Sequence, residues 1–536
     1  MPATEPRGEG IVRMDLDDVR VLASGELDAA TAALVVETAC VAAVAAEAGG
    51  SDKLEALEVL EQCSQTEAGA EALTHSQLGC EVLLTAAVRS PKQSMHQLSA
   101  VAALANVAAA SSEARLTMVR MGATEVLLSL TSDPELMCTE HQRPTLLALQ
   151  NLACEACILP GMAQAGVLDV AVMLLAAPAF AESDLCIHML NVILAYTVAG
   201  REALDLLVAH RVPISLVHFF MTYKPPQPSF NGGSNGDPCT PPRQDESTDQ
   251  ELVYEVWHST QTVTLQIFCN MVNDSSTAQT HLFSCGLPGL VLTVLSSDRR
   301  PNEHQLWAMR ILAPCAQESD IQAQLASSDA VDILLDYAAR ESVQGSEAQV
   351  LALDTLALLS SDAVATQLIL AKGLPALEAL LLLPQLQGSR QQLSVVEIIG
   401  WMSSKGAAER LQLNSSGIPA AILSLLSKAD LAGHPIVGAA LVFLNNLSLE
   451  EEARLHMVEM GIFMALANIV IFDCPGADSQ QKALGIISAL ATQEQPEIQV
   501  ALLKSGVIQS VNAVLEVAIF VSKKWRLSLA DCPDAC

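Results

Sequence analysis

The stretch Asn414-Ser415-Ser416-Gly417-Ile418-Pro419-Ala420-Ala421-Ile422-Leu423-Ser424-Leu425-Leu426 decides how this chain folds. A helix is expected to end at Ser416. Gly417 then reads as the residue just past it, where the backbone turns left-handed and glycine alone avoids a Cβ clash. Pro419 falls in the first turn of the next helix, where its fixed φ is already helical and its missing N–H is not needed. Ile418, Ile422, Leu425 and Leu426 return at helical spacing, so that helix has one apolar face. The device recurs. Gly286-Leu287-Pro288 and Gly373-Leu374-Pro375 copy its form, Arg211-Val212-Pro213 keeps the proline, and Gly122, Gly166, Gly461 and Gly506 keep the glycine.

The intervals between these turns are regular. Gly79 to Gly122 is 43 residues, Gly122 to Gly166 is 44, and Arg211 follows after 45. A gap of 75 leads to Gly286. A degenerate turn near Asp329 comes 43 later, and Gly373, Gly417, Gly461 and Gly506 follow after 44, 44, 44 and 45. A period held over ten turns is an internal repeat, in the length range of helical solenoids. The long gap is one repeat plus an insertion of about 31 residues. Within one period the chain reads as a long helix, a short helix, the turn and a medium helix. Residues 97–109 illustrate the long one, with Leu98, Val101, Leu104 and Ala105 on one face.

Composition agrees. Apolar residues are 51% and aromatic residues 3%, so the interior is built from Leu, Ala, Val and Ile, which suit closely stacked helices. With 60 acidic against 28 basic residues the formal charge is −32. That argues against nucleic acid as the main ligand, because phosphate contact needs dense Lys and Arg. It also disfavours an anionic membrane surface and favours basic protein partners.

Taken in order, residues 1–26 read as a flexible acidic arm and residues 27–221 as a cap followed by repeats. Residues 222–257 read as a Pro/Gly-rich disordered insertion, residues 258–520 as further repeats, and residues 521–536 as a tail. The insertion contains Pro238-x-x-Pro241-x-Arg243, the form of a polyproline II ligand, and Thr240-Pro241, the form of a phosphorylation site. The start, Met1-Pro2-Ala3-Thr4-Glu5, has no basic and apolar leader, and no run of 18 apolar residues stands out. The chain is therefore expected in the cytoplasm, with the nucleus also open to it, as a monomer. Its cysteines are expected to be reduced and to fill the core, the Cys154-Glu155-Ala156-Cys157 pair included.

The sequence Asn-Leu-Ala near the end of a long helix, a short helix, then Gly-Ile-Pro and another helix resembles the armadillo repeat family. The resemblance covers roughly residues 52–520. It implies an all-α, right-handed α-solenoid of about ten repeats of about 44 residues. In that family the long helix lines a concave groove, and an asparagine on it bonds the backbone of an extended peptide. Carried over by position, Asn106, Asn151, Asn270 and Asn446 form that ladder, each 15 or 16 residues before its turn glycine. Trp401 stands at the asparagine position of the Gly417 repeat and reads either as a groove anchor or as a buried stacking residue. The nuclear import adaptors of the family pair each asparagine with a tryptophan four residues earlier. Here those positions hold Ala102, Leu147, Gln266 and Val442, so the import-adaptor reading is poor.

A second resemblance lies in Ile311-Leu312-Ala313-Pro314-Cys315-Ala316-Gln317-Glu318-Ser319-Asp320-Ile321-Gln322-Ala323-Gln324-Leu325. It is similar to a repeat of the GDP dissociation stimulators of small GTPases, and it implies an alternative function in guanine-nucleotide release. No P-loop, Gly-x-Ser-x-Gly, His-Glu-x-x-His or paired Cys/His set occurs in the sequence. No catalytic residue, metal or cofactor is therefore expected. The chain reads as a non-enzymatic scaffold that holds a protein partner, a basic or extended segment, along its groove.

Overall fold

The computed structural model describes residues 16–23, 27–46, 50–76, 78–223, 244–297, 302–431, 433–472, 477–492, 495–513 and 516. Among these residues the regular elements are helices and none is a strand. They fall into two compact units, Met1–Leu287 and Pro288–Cys536. Each unit is an all-α solenoid stack in which a long helix, a short helix and an outer helix recur.

In the first unit the long helices are Ser51–Ser64, Met95–Ala110, Gln142–Ala153, Cys186–Val198 and Gln244–Asp274. In the second they are Asn302–Cys315, Glu347–Leu359, Arg390–Ser403, Pro435–Leu447 and Asp478–Ala491. Within each unit every long helix packs on the next, and the outer helices form a second row behind them. No single repeat could bury its apolar face, since the partner for that face is the neighbouring repeat. Ile418, Ile422, Leu425 and Leu426 of outer helix Ile418–Leu426 are all buried, as their spacing requires. Each such side chain contributes about 1.5–3 kcal/mol relative to exposure.

The turns are of two kinds. Gly122, Gly166, Gly286, Gly461 and Gly506 have φ between 76° and 97°, the left-handed turn the sequence suggests, and Arg211 adopts it at 59° without being glycine. Gly417 does not. Its φ is −72° and ψ −8°, an ordinary right-handed conformation. A hydroxyl one residue earlier caps this turn but does not set its φ, since Ser505 makes the same two bonds before left-handed Gly506. The Ser416 hydroxyl donates to the Leu413 carbonyl at 2.6 Å and accepts the Ile418 N–H at 3.3 Å, so a side chain caps both helices. Ser328 does the same before Asp329, bonding the Leu325 carbonyl and the Ala330 N–H. At Gly373 there is no sharp turn: Ala363–Leu382 runs on as one helix through a π segment, Ile369–Gly373. A Cβ at Gly373 would lie 2.9 Å from Leu335 of the preceding outer helix, so glycine is there for close approach. By length and composition Ala363–Leu382 is the one unbroken helix among the described residues that could cross a membrane, and half of it is buried in the stack.

Three further expectations are corrected. Within the supposed flexible arm, Leu16–Ala23 is a helix that packs on the next two, with Val19 buried and Arg20 3.6 Å from Glu55 and Glu58. Within the supposed disordered insertion, residues 244–257 belong to the helix Gln244–Asp274, the longest of the described helices. The polyproline-like motif, Thr240-Pro241 and the tail lie outside the described residues. Cys138, Cys154 and Cys157 are exposed and fill no core, whereas Cys40, Cys63, Cys80, Cys186, Cys269 and Cys315 are buried.

Candidate functional site

The open face of the long helices is kept in register by a side chain that the sequence reading overlooked. A buried glutamine near the start of the long helix ties it to the outer helix before it. Gln97 donates to the Ala87 carbonyl at 3.1 Å, Gln142 to Thr131 at 3.2 Å, Gln305 to Ser297 at 2.9 Å and Gln349 to Ala338 at 2.8 Å. Gln392 donates to Leu381 at 2.9 Å and Gln480 to Val470 at 3.0 Å. In four of these the amide oxygen also accepts the N–H of the residue four earlier: Gln93, Cys138, Gly345 or Gly388. Those four residues all have positive φ, strained for Gln93 and Cys138 and natural for Gly345 and Gly388, so the glutamine holds a left-handed turn closed. Ser94, Ser346 and Ser389 cap the same helices by accepting the N–H of that glutamine. The pair reads as Ser-x-x-Gln in the sequence, a signature close to the capping box, except that the glutamine oxygen takes the N–H of the residue before the serine.

With this register, the position nine residues after the glutamine falls at one place on each open face. It holds Asn106, Asn151, Leu358 and Trp401, with Pro314 and Ala489 in two further repeats, and Asn270 nine residues after Gln261 of the Gln244–Asp274 helix. Asn446 lies at the same place, although its repeat has Val437 where the glutamine would be. The four asparagines are half-buried, and each spends an amide hydrogen on the long helix before it. Asn106 donates to Ser64 Oγ at 3.0 Å, Asn151 to the Ala105 carbonyl at 2.9 Å, Asn270 to Thr197 Oγ1 at 2.9 Å and Asn446 to Ser403 Oγ at 3.0 Å. The ladder is therefore an inter-repeat brace first. An amide has two N–H hydrogens and a carbonyl, which leaves it bonding capacity toward the open face.

Trp401 differs from the asparagines. Its side chain is 55% exposed, unusual for the residue type that gains most from burial. It stands over a cavity of about 260 Å³ lined by Val396, Glu397, Gly400, Trp401, Ser404, Ala439 and Val442, so two successive repeats build the site. Exposed Val442 lies on the second of the two long helices and Leu449 just past its end, while exposed Leu358 lies on the preceding long helix, Glu347–Leu359. Glu397 supplies the acid. Arg390 sits 3.6 Å from it and bonds Asp354 at 3.1 Å, while Ser394 holds Asp354 at 2.5 Å. The carboxylate of Glu397 is thus the less firmly held of the two.

Acid is spread unevenly over the long helices, and Ser51–Ser64 carries Asp52, Glu55, Glu58 and Glu61. Long helices Met95–Ala110, Gln142–Ala153, Cys186–Val198 and Pro435–Leu447 contain no Asp or Glu. Much of the acid instead lies on the short helices and on the rims, where it braces neighbours. Arg410 bonds Glu450 of the next repeat at 2.6 and 2.8 Å, and Arg115 reaches Glu155 at 3.6 Å. Residues 311–325 span the end of one long helix and the short helix Ser319–Ala326, as the corresponding residues of neighbouring repeats do. Among the described residues no three His, Cys, Asp or Glu gather as a metal site.

No family model matches the chain, and no curated protein matches it by sequence. Solved structures do. The chain is similar to a crystal structure of an engineered protein from a structural genomics consortium, with a TM-score of 0.54 and 19% identity over 85% of this chain and 98% of that one. A designed armadillo repeat protein aligns with a TM-score of 0.37 and 17% identity over 52% of this chain and 98% of its own. The first likeness carries the stacked-helix fold and nothing of function.

Proposed function

We propose that this chain is an armadillo-type scaffold, without enzymatic activity, that binds a segment of a partner protein on the open face of its long helices. The observation that supports the reading is Trp401, an exposed indole above an apolar cavity built by two repeats. An apolar side chain of the partner enters that cavity, and a neighbouring Lys or Arg of the partner faces Glu397. The asparagines Asn106, Asn151, Asn270 and Asn446 offer their remaining amide groups to the partner's backbone. An exposed aromatic at the centre of a patch is the kind of residue that dominates binding energy.

The test is a random peptide library displayed on phage and panned on the full chain. Recovered peptides are expected to lose about 30-fold in affinity, roughly 2 kcal/mol, on Trp401→Ser, and to keep it on Trp401→Phe. Peptides that bind the wild type and the Trp401→Ser variant equally, with helix content unchanged, would remove the support. The nucleotide-release alternative has its own assay, faster loss of labelled GDP from a small GTPase.

A further inference from the structure

Uncovered apolar side chains lie in a row along the open face of the second unit. Leu358 and Trp401 hold one position in two successive repeats, Asn446 holds it in the third, and Val442 and Leu449 flank Asn446. Leu358, Val442 and Leu449 are 37%, 39% and 62% exposed. A single exposed apolar side chain needs no explanation, but a row of them marks a surface that something covers. The long helices behind the row, Glu347–Leu359, Arg390–Ser403 and Pro435–Leu447, pack directly on one another. Helices packed in this way lie about 8–10 Å apart. A segment lying along the row must therefore present an apolar side chain about every 8–10 Å.

A β-strand returns a side chain to one face every second residue, about 6.6–6.8 Å, and falls out of step by the second repeat. An α-helix comes close at every seventh residue, about 10.5 Å, but its backbone groups are bonded to one another. A polyproline II segment returns a side chain every third residue, about 9.3 Å, and its backbone is unbonded. Asn446 favours the last of these. Its amide gives one hydrogen to Ser403 Oγ at 3.0 Å. The bonding capacity that remains suits a partner with free backbone N–H and C=O groups. The exposed indole of Trp401 is also the kind of surface on which proline-rich segments dock.

We infer, on the reading that this open face is the docking surface, that the bound segment adopts the polyproline II conformation and carries an apolar residue at every third position. Its apolar residues meet Leu358, the cavity shared by Trp401 and Val442, and Leu449. A Lys or Arg at an intervening position meets Glu397, since that cavity is lined by one carboxylate and by no Lys or Arg. Proline suits the other intervening positions, because its fixed φ already belongs to this conformation.

The test uses the full chain and two fluorescein-labelled peptides of one composition, read by fluorescence anisotropy at physiological salt. The first repeats the unit Leu-Pro-Lys; the second rearranges the same residues to put leucine at every second position. Equal composition cancels attraction to the acidic surface at large. The first peptide is expected to bind at least about tenfold more tightly than the second. Trp401→Ser should weaken it about tenfold or more, and Leu358→Asp and Leu449→Asp, which change exposed positions, about threefold or more each, with helix content unchanged. Equal binding of the two peptides, or tighter binding of the second, overturns the inference. Panned peptides that need Trp401 yet carry apolar residues at alternate positions also overturn it, while leaving the docking surface standing. Binding of every peptide without regard to Trp401 removes the docking surface itself, and the inference with it. A dimer in sedimentation velocity that Trp401→Ser abolishes overturns it too, since a second copy then covers the row.

Discussion

Replacing Gln392 with leucine removes one amide and strands two backbone groups. The side chain is fully buried, donates to the Leu381 carbonyl at 2.9 Å and accepts the Gly388 N–H at 3.0 Å. Gly388 itself has φ 71°, so its turn depends on that bond. A buried backbone group left unpaired costs about 1–3 kcal/mol. Two such groups, with partial relaxation, give a local destabilisation of about 2–4 kcal/mol. A chain of two units of stacked repeats has no single unfolding free energy, so the effect is best read locally. Hydrogen–deuterium exchange of peptides covering residues 381–392 should speed up roughly 30-fold to 700-fold, with residues 87–97 as the unaffected internal control. Gln392→Glu sharpens the test. Its carboxylate still accepts from Gly388 but faces the Leu381 oxygen, which favours the protonated form and raises its pKa in the folded state. The contribution is then fully present below the ordinary carboxylate pKa of about 4.3 and lost as pH rises through the raised value. The Glu variant should exchange like wild type near pH 4 and like the Leu variant at pH 8, after correction for intrinsic rates. Exchange in the Leu variant within about threefold of wild type would refute the clamp.

Gly461→Ala forces a left-handed Cβ at φ 85° and should cost about 1–2 kcal/mol. Gly417→Ala meets only the movable Glu378 carboxylate and should be close to neutral; calorimetry giving the reverse order would contradict the two turn types. Burial pushes the Cys40 thiol up to about 12 and those of Cys63 and Cys80 to about 11, so at pH 8 all three should resist alkylation while Cys138, Cys154 and Cys157 react, as mapped by peptide mass. The neutral thiols stabilise the fold below pH 9, and that contribution should fade as pH climbs through 11 to 12. On the acid side, hydrogen bonds from Arg310 hold Glu347 below its ordinary range, and the Lys92 ammonium does the same for Asp133. Their stabilisation is present above the ordinary carboxylate pKa and is lost as pH falls through the depressed values, so the melting temperature should drop at acid pH and drop less steeply in Arg310→Met.

The fold was legible because it is written many times. A 44-residue interval marked by glycine and proline survives the loss of either residue in any one copy, as Arg211 and Asp329 show. The conformation of each turn was less legible, since the same serine cap precedes right-handed Gly417 and left-handed Gly506, through Ser416 and Ser505. The glutamine clamp was missed because a buried glutamine looks polar in any hydropathy pattern; only its Ser-x-x-Gln context identifies it. The asparagine positions could be placed by counting, but their Nδ2 partners, Ser64 and Thr197 among them, sit 42 to 73 residues away and depend on how the repeats stack. Trp401 had two readings, and its exposure was decided by Ala439 and Val442 of the following repeat, whose small size leaves the indole uncovered.

The central claim is that the open face of the long helices is where a partner binds. Hydrogen–deuterium exchange of the full chain with and without a panned peptide tests it most directly. Protection is expected in Glu347–Leu359, Arg390–Ser403 and Pro435–Leu447, with the outer helices Ile418–Leu426 and Ile462–Phe472 unchanged. Protection confined to those outer helices would contradict it.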